Sequence, residues 1–470
     1  MGLPQTELNP LAGLRTTPWR HQREAVASVR SLYRRGKRGA MIAAVMGTGK
    51  SAMTVYLCVE EGFELILILC PLRVVQVWQP QFEMHSDVPF LVVPLDDSFA
   101  SVRAKRAEAE RQIALAKARG VPVVVVINYD SAWRSPFAEW ALKQKWDLIV
   151  TDEAHRLKCP GGKASRYVAR LGQAARFRLG LSGTPMPHSP LDVYAYFRFI
   201  DPSIFGWSFH KFRQHYAVMG GYQNHQVVGY RNLDELNQKF YSVTFACGKD
   251  VLDLPAEVHI TYTCQLGAEA RKVYRSLERD LIAEVQSGEI TAANALVKLL
   301  RLQQITGGYI RTDDGRDVQI DSAKMNLLRD VLEDIAPDEP VVVFCRFHKD
   351  LEAVNRIADE SGRRSLELSG RVDELKRWQA GEAPVLAVQI DSGGVGVDLT
   401  RARYAIYYSL GFSLGSYEQS LARIHRPGQT RPVEYIHLLA EGTVDEKVMA
   451  ALARRSDVVN TVLQQMKGLR

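Results

Sequence analysis

The alternation of short apolar segments with helical segments constrains the fold of this 470-residue chain more than any other feature. Apolar segments of strand length recur before residue 202 and again after residue 320. Strands separated by helices are typical of a parallel sheet with helices on both faces, so we expect two α/β units. The predicted strands are Gly39–Ala44, Leu65–Cys70, Pro122–Ile127, Leu148–Thr151, Phe177–Ser182, Val341–Cys345, Ser365–Leu368, Val385–Ile390, Tyr404–Tyr407 and Val433–His437.

Residues 202–320, between these two units, carry few strand signals. The segment AANALVKLLRLQQI has apolar residues at helical spacing and predicts a buried helix. Between Phe205 and Tyr216 aromatic residues are interleaved with basic ones. Such interleaving occurs in base-stacking surfaces, but packing of a helical insertion is the favoured interpretation. We therefore expect an α/β unit over residues 1–201, a helical insertion over 202–320 and a second α/β unit over 321–470.

Composition limits the cellular setting and the kind of partner. The net charge is +7, which fits a polyanionic partner without requiring one. The six cysteines form no CxxC pair, so we expect neither a zinc site nor disulfides, and the cytoplasm is the natural compartment. No apolar run approaches the roughly 18 residues that a membrane span needs.

The segment MGTGKS lies between a predicted strand and a helical pattern, where a phosphate-binding loop belongs. Glycine permits a positive φ and close approach of the backbone to phosphate. The loop amides and the following helix N-terminus would face the anion. In such a loop the lysine reaches the β- and γ-phosphates and the serine hydroxyl binds Mg²⁺. The candidate nucleotide-binding residues here are Met46, Gly47, Thr48, Gly49, Lys50 and Ser51.

Asp152 and Glu153 directly follow a predicted buried strand, in WDLIVTDEAHRLK. Two adjacent acids at the end of a buried strand are costly unless a cation or a reaction holds them. Asp152 suits association with Mg²⁺, and Glu153 can orient or deprotonate an attacking water. A solvated acidic turn is the alternative, and the presence of MGTGKS makes it the weaker one.

The motifs together resemble helicase superfamily two, through DEAH at Asp152–His155 and SGTP at Ser182–Pro185. The finer resemblance is to the Swi/Snf-type DNA-translocating ATPases. TPWRHQ looks like their adenine-reading segment, with Gln22 its glutamine, and LILCPLRVVQVWQPQF is similar to their next motif. The segments beginning at Gly248 and Leu299 resemble those that this branch carries between its lobes.

The second α/β unit continues the resemblance. DSGGVGVDLT at Asp391–Thr400 is similar to the glycine-rich motif of the family, and QSLARIHRPGQ at Gln419–Gln429 is similar to its last motif. The resemblance implies that Arg423 and Arg426 are arginine fingers. It also implies that residues of these motifs couple nucleic acid to the ATP site, namely His155, Ser182, Thr184, Gly394, Gly396, Asp398 and Gln419.

The chain departs from the family pattern at a few positions. Ala44 stands where a full phosphate-loop motif has its first glycine, and Ala44 and Val45 replace acids common in this branch. In the second unit the departing residues are Gln389, Ile390, Asp398 and Ala422.

The resemblance implies two RecA-like lobes with helical insertions between them, binding ATP and Mg²⁺ and hydrolysing ATP to move along DNA. Details of the Swi/Snf type favour duplex DNA, while a strand-separating DNA or RNA helicase stays open. A catalytically idle DNA-binding scaffold is the alternative outside enzymes. A small-molecule kinase would leave the second lobe and its arginines unexplained, and the SGTP segment lacks the GxSxG spacing of an esterase. Protein partners cannot be read from the sequence.

Overall fold

The computed structural model describes residues 12–187, 189–220, 226–287, 292–312, 315–390, 397–411, 413–450 and 452. These residues form two compact units, with the division between Leu252 and Asp253. In the described part of the chain, no helix is long and apolar enough to cross a membrane.

The first unit is built on a seven-stranded sheet with the order β3-β4-β2-β5-β6-β1-β9. Every neighbouring pair in this sheet is parallel. The strands are β1 (Gly39–Ala44), β2 (Leu65–Cys70), β3 (Leu91–Leu95), β4 (Val123–Asn128), β5 (Trp146–Thr151), β6 (Ala175–Ser182) and β9 (Thr244–Cys247). A separate antiparallel hairpin pairs β7 (Ala217–Gly220) with β8 (Gln226–Tyr230).

Helices connect the strands of the first unit. They are α1 (Arg20–Arg34), α2 (Lys50–Glu61), α3 (Trp78–His85), α4 (Val102–Arg119), α5 (Tyr129–Ala132), α6 (Phe137–Ala141), α7 (Lys163–Leu171), α8 (Val193–Ile200), α9 (Pro202–Phe205), α10 (Phe209–Tyr216) and α11 (Leu233–Tyr241). Short 3-10 helices lie at Leu72–Val77, Ala154–Leu157, Gly172–Ala174, Pro190–Asp192 and Lys249–Val251.

The second unit contains a six-stranded sheet with the order β10-β17-β16-β13-β15-β14, again parallel throughout. Its strands are β10 (Glu257–Cys264), β13 (Val341–Cys345), β14 (Ser365–Leu368), β15 (Val385–Gln389), β16 (Tyr404–Tyr407) and β17 (Val433–Ala440), with a hairpin of β11 (Tyr309–Arg311) and β12 (Asp317–Gln319). Its helices are α12 (Ala268–Ser287), α13 (Ala292–Thr306), α14 (Ala323–Glu333), α15 (His348–Glu360), α16 (Leu375–Gln379) and α17 (Leu414–Ile424), and a further helix begins at Val444.

The central strands are apolar along their whole length because helices cover both faces of the parallel sheet. All six residues of β1 and of β4 are buried, as expected for strands covered by helices on both faces. Gly39 opens β1 where a Cβ atom would lie 1.9 Å from the carbonyl oxygen of Ile200, the last residue of α8. Glycine therefore allows α8 to approach the sheet at this point.

The predicted strands are all present, and their ends move by at most three residues. The two α/β units of the prediction are thus confirmed. The segment 202–320 is divided between the units and is less helical than expected. Its strand β9 joins the first sheet and its strand β10 joins the second, so the predicted domain boundaries differ from the division at Leu252.

The aromatic and basic stretch after Pro202 packs as a helical insert. Phe212 and Tyr216 are 3% and 2% exposed, and their rings lie 4.8 Å apart between centroids. Phe205 contacts both rings edge-on. Packing was the favoured interpretation of this stretch, and the structure confirms it for these three rings.

Candidate functional site

The loop between β1 and α2 has the backbone that its glycines predict. Gly47 and Gly49 have φ values of 87° and 84°, in the left-handed region that favours glycine. A Cβ atom on Gly49 would also lie 2.3 Å from the side-chain nitrogen of Gln22. Gly49 caps the N-terminus of α2, so the first amides of that helix are directed towards the loop.

Lys50 and Thr48 hold this loop in shape. The Lys50 Nζ donates hydrogen bonds to the carbonyl oxygens of Ala44 and Val45, at 2.9 and 3.4 Å. The Thr48 hydroxyl donates to the Val45 carbonyl at 2.7 Å. Met46 and Ser51, on either side, are partly exposed. The ammonium group of Lys50 therefore lies inside the curve of the loop.

Helix α1 brings Gln22 to the same loop. The Gln22 side chain donates to the carbonyl oxygen of Thr48 at 3.0 Å and accepts from the amide of Trp19 at 2.9 Å. A ring nitrogen of His21 lies 2.9 Å from the same Thr48 oxygen. Sequence reasoning singled out Gln22 but missed His21, although His21 is its neighbour in TPWRHQ.

The two acids lie in the turn that follows β5. Asp152 and Glu153 are each 7% exposed. Burial and the adjacent charge of Glu153 raise the pKa of Asp152 to about 7, although the positive charge of Lys50 acts in the opposite direction. Glu153 has a φ of 53°, which is uncommon for a residue with a Cβ atom. A buried, destabilised carboxylate next to a strained backbone is typical of a functional site.

His155 joins this turn to the SGTP segment. Its Nδ1 lies 3.0 Å from the hydroxyl of Ser182 and 3.4 Å from a carboxylate oxygen of Glu153. Burial lowers the pKa of His155, so the ring is neutral near pH 7. The Ser182 hydroxyl accepts a hydrogen bond from the amide of Thr184 at 3.1 Å.

The SGTP segment also packs against the phosphate loop. A Cβ atom on Gly183 would lie 3.5 Å from the Nζ of Lys50 and 3.4 Å from the Cγ of Met46. These are ordinary van der Waals distances, so Gly183 packs directly beside both side chains. The structure thus brings Gln22, Met46–Ser51, Asp152, Glu153, His155, Ser182 and Thr184 to one region of the first unit.

The second unit holds the predicted arginines around the end of α17. Arg423 is 5% exposed and its carbonyl accepts a hydrogen bond from the amide of Leu399 at 3.1 Å. Arg426 follows the helix, and Gln419 is half-buried within it. Asp398 is exposed, and its carboxylate accepts bonds from the amide and hydroxyl of Thr400.

Two predicted residues of the second unit cannot be placed. Gly394 and Gly396 lie outside the described residues. The side chain of Gln429, the last residue of the arginine motif, is bonded to the backbone. It donates to the carbonyl oxygens of Thr400 and Ala402 at 3.1 and 2.7 Å. These bonds tie the end of the arginine motif to the loop after Asp398.

Comparison with known proteins finds two family profiles in succession along the chain. The profile of the SNF2-related domain matches residues 21–307, and that of the helicase conserved C-terminal domain matches residues 323–428. A putative protein p41 of Acyrthosiphon pisum secondary endosymbiont phage 1 is 27% identical over 456 residues, covering 90% of this chain and 94% of its own length. The chromodomain-helicase-DNA-binding protein 1-like of Danio rerio is 25% identical over 459 residues.

The aligned region covers 93% of this chain but only 43% of the Danio rerio protein, so the chain spans less than half the length of that relative. The SWI2/SNF2 ATPase core of Sulfolobus solfataricus has 20% sequence identity and a TM-score of 0.45, covering 97% of this chain and 95% of its own. The SNF2-related match alone extends over more than half of the sequence. The chain therefore belongs to the SNF2-related family of helicase-type ATPases.

Proposed function

We propose that the chain is an ATP-driven motor that moves along duplex DNA. The observation that carries this proposal is the meeting of the phosphate loop, the acidic turn and the SGTP segment in one region of the first unit. Gly183 lies against Lys50, and His155 links Glu153 to Ser182. This contact would allow a change at the phosphates to reach the SGTP backbone.

In this proposal the first unit binds ATP with Mg²⁺. Lys50 would exchange its bonds to the loop carbonyls for bonds to the β- and γ-phosphates, and Gln22 would read the adenine. The Ser51 hydroxyl and the Asp152 carboxylate are oxygen donors of the kind that Mg²⁺ prefers. A nearby Mg²⁺ would also favour the charged form of Asp152, whose pKa is raised by burial.

Glu153 would then orient the attacking water and accept its proton. Arg423 and Arg426 would stabilise the charge that spreads over the γ-phosphate oxygens in the transition state. Ser182, Thr184, Asp398 and Gln419 would couple this cycle to movement along the nucleic acid.

Two observations support DNA as the substrate, and the choice of duplex DNA rests on the Swi/Snf-type motifs of the sequence. The net charge of +7 suits a phosphate backbone. The Danio rerio relative is named as a DNA-binding helicase. Strand separation and action on RNA remain the competing functions, and one assay distinguishes all three.

The test is ATP turnover with no nucleic acid, single-stranded DNA, duplex DNA or RNA. We expect the largest stimulation with duplex DNA, together with displacement of a triplex-forming strand and no separation of a plain duplex. Turnover stimulated only by RNA, or separation of the duplex, would replace this proposal with the corresponding alternative. Lys50→Ala should abolish this turnover, and Lys37→Ala is its matched control, since Lys37 is an exposed lysine that precedes β1, whereas Lys50 follows that strand.

A further inference from the structure

The peptide between Asp152 and Glu153 is the most constrained feature of the acidic turn. Glu153 adopts a left-handed conformation, with φ 53° and ψ 52°. A residue with a Cβ atom keeps this conformation only where the surrounding groups hold it. The direction of the Glu153 side chain depends on that backbone angle, so the groups that fix the peptide also fix the carboxylate.

Tyr129 supplies the bond at this peptide. Its hydroxyl donates to the carbonyl oxygen of Asp152 at 2.7 Å. That carbonyl belongs to the same peptide plane as the Glu153 nitrogen, so rotating the plane would change the φ of Glu153. The bonds on either side are backbone bonds, from the Asp152 amide to Leu69 at 2.8 Å and from the Arg156 amide to Glu153 at 2.9 Å.

Tyr129 is itself held in place by its neighbours. It is 7% exposed and begins α5 directly after β4. The Nζ of Lys105, on α4, donates to the hydroxyl of Ser131 at 3.0 Å and lies 3.4 Å from the side-chain oxygen of Asn128. Lys105 is only 5% exposed. A buried cation therefore fixes the residues on both sides of Tyr129.

The hydroxyl acts as a donor throughout the physiological range. A tyrosine hydroxyl keeps its proton well above neutral pH. A carbonyl oxygen can only accept a hydrogen bond. The proton therefore remains on Tyr129 and points to the peptide.

We propose that Tyr129 is a positioning residue for Glu153, acting through the Asp152 carbonyl. It lies outside the phosphate loop, the acidic motif and the SGTP segment. The inference rests on the proposed function, in which Glu153 orients the attacking water. Without the hydroxyl, the peptide loses one of the bonds that restrain it and the carboxylate spends less time in the reactive direction, while the phosphate loop is unchanged.

Tyr129→Phe tests this with the full chain. We expect the kcat of nucleic-acid-stimulated ATP hydrolysis to fall about tenfold, with the KM for ATP within about twofold of wild type. Tyr33→Phe is the matched control, because the Tyr33 hydroxyl is also buried and donates to a backbone carbonyl, that of Arg178, at 3.0 Å. Arg178 pairs with Gly39, the first residue of β1, so this bond lies at the end of β1 opposite to the phosphate loop. Tyr33→Phe should leave kcat unchanged.

A double-mutant cycle with Glu153→Gln distinguishes positioning of Glu153 from a loss of activity that arises elsewhere in the structure. If Tyr129 acts through Glu153, adding Tyr129→Phe to Glu153→Gln causes no further loss in single-turnover hydrolysis. A tenfold loss on both backgrounds would overturn the inference, as would an equal loss in Tyr33→Phe or wild-type kcat in Tyr129→Phe. Absence of any turnover that depends on Lys50 would overturn the proposed function as well, which distinguishes the two failures.

Discussion

Asp152 in the first unit and Asp445 in the second are equally buried, with 7% of each residue exposed, but their surroundings differ. Asp445 forms an ion pair with the buried Lys324. Its carboxylate also accepts bonds from the hydroxyl of Thr306 at 2.9 Å and from the amide of Ala440 at 3.1 Å. Asp152 instead has a second acid, Glu153, beside it, and its pKa is raised to about 7.

The difference separates a structural charge from a functional one. A buried charge that is paired and hydrogen-bonded joins elements together, as Asp445 joins α13, α14 and β17. A buried charge with a like-charged neighbour is costly in the protein alone and becomes favourable when a cation arrives. Asp152 is of the second kind, which is the physical reason for giving it the role of Mg²⁺ ligand.

Lys50→Ala should have the largest effect, because the charge of Lys50 acts on Asp152 and, in the proposed function, on the phosphates of ATP as well. We expect steady-state ATP turnover to fall to background while circular dichroism and the melting temperature remain close to wild type. Near-normal turnover would break the assignment of the first-unit cluster as the nucleotide site. Lys37→Ala should turn over ATP normally.

Arg426→Ala tests whether a charged residue of the second unit contributes to ATP hydrolysis or only to the stability of that unit. The Nε of Arg426 is buried and makes no hydrogen bond within the described residues. We expect hydrolysis to slow by about 10³-fold with nucleotide affinity nearly unchanged, because a guanidinium that acts on the transition state adds little to binding. Equal losses of affinity and rate would instead make Arg426 a structural residue.

Lys324→Met tests the paired charge of the second unit. Leaving Asp445 buried without its cation should lower the free energy of unfolding by about 3–5 kcal/mol, measured by urea denaturation. Replacing both partners, as Lys324→Met with Asp445→Leu, should recover much of that loss. If the double variant is no more stable than Lys324→Met, the loss is not caused by the unpaired charge of Asp445, and this explanation is wrong.

Asp152→Asn should change the free energy of unfolding less than Lys324→Met does, and it should raise it rather than lower it. The pKa of Asp152 is raised in the folded state, so the folded protein binds its proton more tightly than the unfolded chain. Stability from this group is present below about pH 4 and is lost as the pH rises to about 7. In urea unfolding without nucleotide, the stability of the variant relative to wild type should therefore rise between pH 5 and pH 8, by up to about 3 kcal/mol at about 1.4 kcal/mol per pKa unit. A constant difference across this range would contradict the raised pKa.

The sequence predicted best where one local signal decides the outcome. β1 and β2 have the predicted bounds because each is a continuous apolar run. The loop at Gly47 and Gly49 followed from its MGTGKS sequence and from its place between a strand and a helical segment. By contrast, β3 contains Pro94 and forms an edge of the sheet, where proline is tolerated, so its composition argued against a strand.

Contacts between residues that are distant along the chain could not be predicted, because no local pattern in the sequence indicates them. The pairing of Lys324 with Asp445 joins positions 121 residues apart. The bond from Tyr129 to Asp152, in the candidate site, joins two residues that are 23 positions apart. Tyr129 follows β4 and Asp152 follows β5. β10 was missed for a different reason, since Glu257–Cys264 alternates apolar with polar residues, is largely exposed and lacks a continuous apolar run.

The pairing of β9 with β1 bears on how the first unit is made. Met41 lies in register with Thr244, so the strand that carries the phosphate loop gains its outer neighbour only after about 200 further residues have been synthesised. A fragment that stops at residue 201 would expose the backbone of β1 as a bare sheet edge, which invites aggregation. Expression of the first unit by itself should therefore extend through Leu252, where the contacts of this unit end.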